Sequence, residues 1–525
     1  MTSQRTRRLH SLWFWLIGLA IVMGVGFRLT NIGHKIYWHD EAYSTFRAAG
    51  YLSQDIYGQV FEGQPITPSG LQVFQQLNPN STYTDTLKSL ALEDPQHAPL
   101  YFLMARAWMR VFGSEIATSR LLPVLISLGS LPLMYLLAME VFATSLLAWF
   151  TTALLALSPI DILFAQTVRQ YSLLTFSIVL SNWLLLRADR RHHYRPWLFY
   201  ALAVAMGLYS HVFFVLNWIA QGLFALGSGK QTGWRFFLAS GLALMLFSPW
   251  IFVLYHHRDA ALASNAWSGV KYDNLIYLQT WLHTFAGVLV DMPVPQLEFW
   301  TLILWLLVLS LIGYAFVILL KTASLRQRIF VCTAAWIPFL LLVAADLSLG
   351  GSRTTVPRYL LGALPGIQLA LGLALAHLHW HHNRLAQTLW GLILVASFTS
   401  CLVSAQSETW WHKNVSYDND VVAAYLNANA SAWVVTDRGN YTNIGNLLAL
   451  SYHLRPEVTF LPFPNPVEPV SLNRAMPDDQ ISLLSYRISP DLQQILQQQS
   501  YQLHETPVPG LFRVIPPTVD QQTLP

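Results

Sequence analysis

Charged residues are scarce in this chain of 525 residues: Lys, Arg, Asp and Glu make up 11% of it, whereas the hydrophobic types make up 54%. In soluble domains about a quarter of the residues are charged, so this composition excludes a water-soluble globular protein. Both cysteines, Cys332 and Cys401, lie inside apolar runs. The chain therefore has no material for a disulfide framework or a cysteine-based metal site.

Several motifs of soluble enzymes are also missing. The sequence contains no Gly-rich phosphate-binding loop, no CxxC or HExxH motif and no repeat at the period of a solenoid. Nucleotide hydrolysis and zinc catalysis therefore have no basis in the sequence. The net charge of +4 is not concentrated in a basic patch, so nucleic acid is not an expected partner.

Apolar runs of about 20 residues recur along the chain, and each is long enough for a helix to cross the ~30 Å hydrocarbon layer. We predict an all-α polytopic membrane protein with eleven spans, at residues 12–30, 119–140, 145–165, 169–187, 197–211, 212–227, 235–255, 298–320, 329–347, 358–377 and 385–405. Residues 101–112 are apolar but contain Arg106 and Arg110, which are costly at the centre of a bilayer. This stretch is predicted to be an amphipathic helix at the membrane surface.

The distribution of Lys and Arg predicts the sidedness of the chain, because both residues concentrate in cytoplasmic loops. Eleven spans place on one side Arg5, Arg7, Arg8, Arg187, Arg190, Arg191, Arg195, Lys230, Arg235, Lys321, Arg326, Arg328 and Arg384, opposed only by Asp189. We expect a protein of the plasma or inner membrane with a cytoplasmic N-terminus and a first extracytoplasmic loop, with juxtamembrane helices, at 31–118. If 197–227 is one kinked span rather than two, the sidedness of everything after it reverses.

The composition changes after Val403, and no spanning run follows. Residues 406–525 are predicted to form a small extracytoplasmic α/β domain, separate from a membrane domain at 1–405. Within it we expect helices at 420–426 and 447–454, strands at 432–436 and 458–461, and a disordered tail at 516–525.

Two adjacent carboxylates, Asp40 and Glu41, follow the first predicted span among aromatic residues. A helix N-terminus alone would explain them, through N-capping and the helix dipole. The alternative is chemistry, since a carboxylate here can act as a general base or hold a sugar hydroxyl. Asp40 and Glu41 are also the candidate oxygen ligands for a divalent cation, and metal dependence stays open.

Further segments follow the acid pair in the order found in a known family. They are His97-Ala98-Pro99-Leu100-Tyr101, Arg120-Leu121-Leu122-Pro123, Leu131-Pro132-Leu133-Met134-Tyr135, Ser158-Pro159, Gln166-Thr167-Val168-Arg169-Gln170-Tyr171, Gly207-Leu208-Tyr209-Ser210-His211 and Pro357-Arg358-Tyr359-Leu360-Leu361. Over about residues 12–380 the chain resembles the bacterial dolichyl-phosphate-mannose protein mannosyltransferase-like glycosyltransferases. Where the family has His-Pro-Pro, this chain has His97-Ala98-Pro99.

The resemblance implies a GT-C fold and inverting transfer of a sugar from a polyprenyl monophosphate, at the extracytoplasmic face. Asp40 falls on the family's catalytic aspartate and Glu41 on its partner. The family motifs also make substrate-binding candidates of His97, Tyr101, Gln166, Tyr171 and Tyr359. The donor and membrane lipids are the expected partners, while the sugar and the acceptor, whether protein, lipid or glycan, stay open.

A phosphate at the outer leaflet requires fixed cations, and Arg binds phosphate oxygens in a bidentate manner. Arg169, Arg353 and Arg358 lie at the predicted outer boundary, although snorkelling to lipid headgroups would explain each of them singly. His211, in a predicted outer turn, is a candidate to polarise a sugar or phosphate oxygen, against the simpler role of an interfacial His in contact with water. Asp161 is a functional candidate because it is an acid within a predicted span.

Two other functions compete with sugar transfer. A transporter or flippase of lipid-linked sugars would also need many helices and outward-facing Arg, but the related halves of a repeat-type transporter are not evident. A membrane scaffold that presents the C-terminal region would not require the acid pair. The cytoplasmic group His379, His381 and His382 is interpreted as a solvated loop rather than a metal site.

Overall fold

The computed structural model describes residues 2–191, 193–293, 298–429, 432–439, 441–468 and 483–517. The chain divides into two compact units. The first unit consists of Met1–Ile32, Leu90–Tyr101 and Arg120–Gln406, and the second of Gly33–Ser89, Phe102–Ser119 and Ser407–Pro525. The division into domains at 1–405 and 406–525 stays a prediction.

The described residues contain the following helices. They are α1 Thr2–Leu29, α2 His39–Ala49, α3 Ser53–Val60, α4 Pro68–Gln72, α5 Tyr83–Glu93, α6 Leu100–Phe112, α7 Ile116–Phe142, α8 Ser145–Ala156, α9 Pro159–Ala165, α10 Tyr171–Arg190, α11 Tyr194–Ser210, α12 Phe214–Gly227, α13 Lys230–His256, α14 Arg258–Asn265, α15 Asn274–Ala286, α16 Phe299–Thr322, α17 Leu325–Leu349, α18 Leu364–His381, α19 Asn383–Gln406, α20 Asn419–Ala428, α21 Tyr441–Ser451 and α22 Pro490–Gln498.

The predicted class, a helical multi-pass membrane protein, is confirmed. Seven helical segments of the described chain are long and apolar enough to cross a membrane: α7, α10, α13, α16, α17, Pro357–His381 and α19. An eighth exists if α8 and α9, which meet at a bend of 56°, form one span. Every predicted span coincides with a helix or a broken helix, and 101–112 forms α6, but the number eleven stays a prediction.

Pro159 causes the break between α8 and α9, and Arg28 donates hydrogen bonds to the carbonyls at the end of α8. Pro159 occupies the first turn of α9 and cannot donate a backbone hydrogen bond, so the carbonyls at the end of α8 need other donors. Arg28 of α1 supplies them, because its guanidinium donates to the Leu155 oxygen at 3.1 Å and to the Ala156 oxygen. Gly24 permits this approach, since a Cβ there would lie 2.0 Å from the Ala156 oxygen.

The second unit contains a mixed sheet of five strands among its described residues: β1 Trp433–Asp437, β2 Thr459–Phe463, β3 Leu483–Tyr486, β4 Gln502–Glu505 and β5 Leu511–Ile515, in the order β2-β1-β3-β5-β4. β1 runs parallel to β2 and β3, whereas β5 is antiparallel to β3 and β4. One face packs Val435, Leu461 and Val514 against Leu492 and Leu496 of α22. The predicted α/β character of this region is confirmed; of the tail, residues 518–525 lie outside the described part.

Candidate active site

Five polar residues of the first unit, here called the cation cluster, lie at the ends of different helices. His97 lies between α5 and α6, Arg169 and Gln170 immediately precede α10, His211 separates α11 from α12, and Arg358 lies in a 3₁₀ turn before α18. Helix ends meet at the boundary of a membrane bundle. Residues that are far apart in the sequence are therefore brought together there.

The His97 ring joins two members of the cluster. Its Nε2 lies 3.3 Å from Arg169 Nη2, and its Nδ1 lies 3.1 Å from the side-chain amide of Gln170. Arg169 can only donate, so Nε2 accepts and the ring proton lies on Nδ1; the Gln170 amide, turned so that its oxygen rather than its Nε2 faces the ring, accepts that proton. A neutral His97 thus orients the guanidinium of Arg169.

His211 is held as a neutral imidazole. Its Nδ1 accepts a hydrogen bond of 3.1 Å from the backbone N–H of Phe213, which leaves the proton on Nε2. Burial, followed by electrostatic interactions with His97, Arg169 and Arg358, lowers the pKa of His211 to about 3. Two guanidinium groups, those of Arg169 and Arg358, therefore act on the buried His211, and this electrostatic environment favours an anion.

Aromatic rings lie next to two members of the cluster, Arg358 and His211. The Arg358 guanidinium carbon lies 5.8 Å from the ring centroid of Trp267 and 5.5 Å from that of Tyr359. The Tyr359 ring packs edge-on against Phe213, with 4.5 Å between centroids. Such contacts fix the plane of a guanidinium. The buried ring of Tyr171 lies 6.1 Å from that of His211 and extends this aromatic wall.

Two of the substrate-binding candidates, Arg353 and Gln166, contact oxygen atoms of the protein itself. Arg353 donates from Nη1 to Asp346 at 3.1 Å and to the Gly350 oxygen at 2.7 Å, which closes the loop after α17. Gln166 donates its side-chain amide to the oxygens of Phe27, Arg28 and Thr30 at 2.9 to 3.2 Å, which caps the end of α1. Tyr101, a third candidate, is completely buried in α6.

Asp161 lies in the first turn of α9. Gln368 of α18 donates to its Oδ2 at 2.8 Å, and Arg28 is close enough to interact with it electrostatically. Asp161, Ser130 and Thr175 are among the residues that line a small cavity between helices of the first unit. Ser158, Arg28 and Gln368 therefore favour the ionised form of this buried carboxyl group.

The acid pair lies in the second unit, at the start of α2. The side chain of Asp40 is 15% exposed, and its Oδ1 lies 3.0 Å from His39 Nε2. Glu41 is fully buried, and its Oε2 accepts from the backbone N–H of Trp38 at 3.1 Å and from Lys413 Nζ at 2.8 Å. The two carboxylates therefore differ in access: Asp40 is the more exposed one, and Glu41 is enclosed.

The arrangement of the acid pair does not fit a divalent cation. The Glu41 oxygen is bound by the ammonium of Lys413, and Asp40 is paired with His39. Within the described ranges, no group of three or more His, Cys, Asp and Glu residues is placed to hold a metal ion. This finding also covers His379, His381 and His382. In the first unit His379 instead contacts Asn383, with 2.8 Å between Nδ1 and Oδ1.

Comparisons with known proteins found one matching family model and several solved structures of similar fold. The family model described as dolichyl-phosphate-mannose-protein mannosyltransferase matches residues 96–253, which include four members of the cation cluster. The crystal structure of ArnT from Cupriavidus metallidurans bound to undecaprenyl phosphate superposes with a TM-score of 0.56 at 12% identity, over 95% of this chain and 97% of that one. The predicted resemblance to this family is confirmed over residues 96–253, and the chain has the fold of ArnT.

Further matches to solved structures were found. The apo form of the same ArnT gives a TM-score of 0.56 at 10% identity, over 96% of this chain and 98% of that one. The oligosaccharyltransferase AglB from Archaeoglobus fulgidus, in complex with an inhibitory peptide and a dolichol-phosphate, gives 0.48 at 12% identity, over 98% and 75%. No curated protein matches the sequence at a significant level.

Proposed function

We propose that this protein is an inverting membrane glycosyltransferase. It takes a sugar from a polyprenyl monophosphate and transfers it to an acceptor on the extracytoplasmic face. The observation that carries this proposal is the cation cluster, four of whose five members fall within the range matched by the mannosyltransferase model. A protein of the same fold, ArnT, binds undecaprenyl phosphate, which supports a lipid-linked donor here.

In this proposal the cation cluster binds the donor phosphate. Arg169 and Arg358 each present a planar fork of N–H donors, and the Nε2–H of neutral His211 adds a third donor without adding a buried charge. His97 orients Arg169, as its 3.3 Å contact supports. As the bond between the anomeric carbon and the phosphate oxygen breaks, these donors stabilise the charge that develops on the departing phosphate.

Asp40 is the proposed general base. Its carboxylate takes the proton of an acceptor hydroxyl, whose oxygen forms a new bond to the anomeric carbon as the phosphate departs with its electron pair. This single displacement inverts the anomeric configuration. His39, 3.0 Å from Asp40 Oδ1, supports the orientation of the carboxylate. We further propose a cytoplasmic N-terminus and extracytoplasmic segments at 31–118 and 406–525, from the distribution of Lys and Arg.

The alternative function, transport of lipid-linked sugars, gains no support from the matches. The test uses purified protein in liposomes, radiolabelled undecaprenyl-phosphate hexose and pentose donors, and a membrane extract as the source of acceptors. Wild type should move label to a product of inverted anomeric configuration, and Asp40→Asn should reduce the rate ~10²- to 10⁴-fold.

Binding of undecaprenyl phosphate should be unchanged in Asp40→Asn, because the phosphate is held by other residues. Asp491→Asn, an exposed change in α22, is the matched control and should behave as wild type. Label that crosses the bilayer without any transfer would replace this proposal with the transporter.

A further inference from the structure

The beginning of α2 is held at two successive backbone N–H groups. The first is that of Trp38, which donates to Glu41 Oε2 at 3.1 Å. The second is that of His39, which donates to Ser416 Oγ at 3.0 Å. Asp40 follows directly, so its backbone position is set by these two contacts.

Both contacts lead to one turn of the chain near residue 415. Lys413 Nζ donates to the same Glu41 oxygen at 2.8 Å, and the two side chains are 1% and 0% exposed. Ser416 belongs to the same turn, because its backbone N–H donates to the Lys413 oxygen at 3.1 Å. One turn of the C-terminal segment therefore supports the start of α2 through a charge and through a hydroxyl.

A closed polar network lies behind this turn. Ser416 Oγ donates to Asn446 Oδ1 at 2.7 Å, and Asn446 donates to Tyr486 Oη at 2.8 Å. Tyr486 Oη donates to Asn419 Oδ1 at 3.0 Å, and Asn419 returns a bond of 3.0 Å to Asn446 Oδ1. Each donor and acceptor in this ring is used consistently, and its members are fully buried. The ring connects α20, α21 and β3, so it forms a rigid base for Ser416.

A second contact fastens α2 to the same base. The backbone N–H of Gly445 in α21 donates to Tyr43 Oη at 3.2 Å. A Cβ at residue 445 would lie 2.4 Å from the Tyr43 ring, so glycine allows the close approach of the two helices. The register of α2 against α21 is thereby fixed one turn after Asp40.

Helix capping alone does not account for Lys413. Glu41 already accepts the Trp38 N–H without it, and a buried ion pair is often no more stabilising than apolar packing of the same volume. What a buried pair does supply is a specific geometry. We propose that Lys413 is a positioning residue, which acts through Glu41, together with Ser416, to set the direction of the Asp40 carboxylate. This inference rests on the proposed role of Asp40 as the base.

The expected effect follows from the precision that proton transfer requires. A displacement of about 1 Å in a reacting group can reduce a rate ~100-fold. Lys413→Met, which keeps most of the side-chain volume, should therefore lower kcat about 100-fold. The KM for the donor and the affinity for undecaprenyl phosphate should stay at wild-type values, because the phosphate site is built from other residues.

The experiment compares four full-length variants in the same liposomes. Lys413→Met breaks the ion pair, Ser416→Ala removes the second anchor without touching a charge, and Glu41→Gln combined with Lys413→Met leaves no buried charge uncompensated. Lys88→Met, an exposed change in α5, is the matched control. The measurements are kcat and KM, binding of undecaprenyl phosphate, and hydrogen exchange of the amides in residues 39–49.

Lys413→Met and Ser416→Ala should each accelerate exchange at the start of α2 by roughly 10-fold or more and lower kcat at constant KM. The double variant should fold as wild type does yet stay slow, since the geometry is lost with the pair. Exchange in α2 equal to wild type, or a full kcat in the double variant, would overturn the inference. If wild type transfers no sugar, the proposed function fails, and the exchange data alone decide whether Lys413 holds α2.

Discussion

The low pKa of His211 leads to a quantitative prediction for the first unit. Its pKa is lowered to about 3 in the folded protein by burial and by electrostatic interactions with His97, Arg169 and Arg358. In the unfolded chain a histidine titrates near 6.5. Between these values the unfolded state binds a proton that the folded state does not, so stability falls as the pH is lowered.

The magnitude follows from the size of this interval. Each pH unit below 6.5 costs about 1.4 kcal/mol until the folded protein itself takes up the proton. At pH 5.0 the loss attributable to His211 is about 2 kcal/mol relative to neutral pH. For a chain of this length that corresponds to roughly 2 °C in the thermal midpoint.

The assay compares wild type with His211→Asn, because an asparagine oxygen can still accept the Phe213 N–H. Thermal midpoints are measured in detergent from pH 7.5 to pH 5.0, and the difference between the two proteins isolates residue 211 from the other histidines. We expect wild type to lose roughly 2 °C more than the variant over this range. Parallel curves would refute the conclusion that His211 is kept neutral.

A bound phosphate should reduce this difference. An anion on the cation cluster offsets the charges of Arg169 and Arg358, so the pKa of His211 rises towards its ordinary value and less stability is lost on acidification. The experiment repeats the pH series with undecaprenyl phosphate, and with undecaprenol as the uncharged control. An equal effect of both lipids would mean that the phosphate does not bind at this cluster.

Two further predictions separate binding residues from structural ones. Arg358→Ala should weaken undecaprenyl phosphate binding ~10- to 100-fold, and Arg358→Lys should restore only part of the affinity. Arg353→Ala should leave this affinity unchanged but lower the thermal midpoint, because Asp346 loses its ion pair. Gln166→Leu should cost about 1–3 kcal/mol of stability, since the carbonyls at the end of α1 lose their donor, again with normal lipid affinity. Reduced affinity without a reduced midpoint in either structural variant would return that residue to the binding site.

The spans were predictable because a bilayer demands long apolar runs, and such runs are a local property of the sequence. The helix α6 was also predictable from a local property of the sequence, because Arg106 and Arg110 interrupt an otherwise apolar stretch. The 56° bend between α8 and α9 was not predicted, although Ser158-Pro159 marks its place. A proline in the sequence indicates where the hydrogen bonds of a helix are interrupted. The donor that binds the exposed carbonyls, here Arg28, lies far away in the sequence and becomes known only from the structure.

The acid pair was recognisable from its local pattern, but its partner was not. Lys413 and Glu41 are 372 residues apart, and nothing in the composition around either residue points to the other. The same holds for Ser416, whose hydroxyl accepts the His39 N–H. The sequence therefore indicated the acid pair, while its contacts with Lys413 and Ser416 became visible only in the folded unit.

Gln166, Arg353 and Arg358 show why polar residues at helix ends are hard to assign from sequence. Helix termini and lipid headgroups coincide at the membrane boundary, so residues that cap backbone carbonyls and residues that bind phosphate occupy similar positions in the sequence. The contacts of Gln166 and Arg353 differ from those of Arg358. Gln166 and Arg353 use their N–H groups on backbone and carboxylate oxygens, whereas the plane of Arg358 packs against the rings of Trp267 and Tyr359. The rings of Trp267 and Tyr359 orient the plane of the Arg358 guanidinium, and together with the family motif this is why we propose Arg358 as the first candidate for the phosphate, with Arg353 as the second.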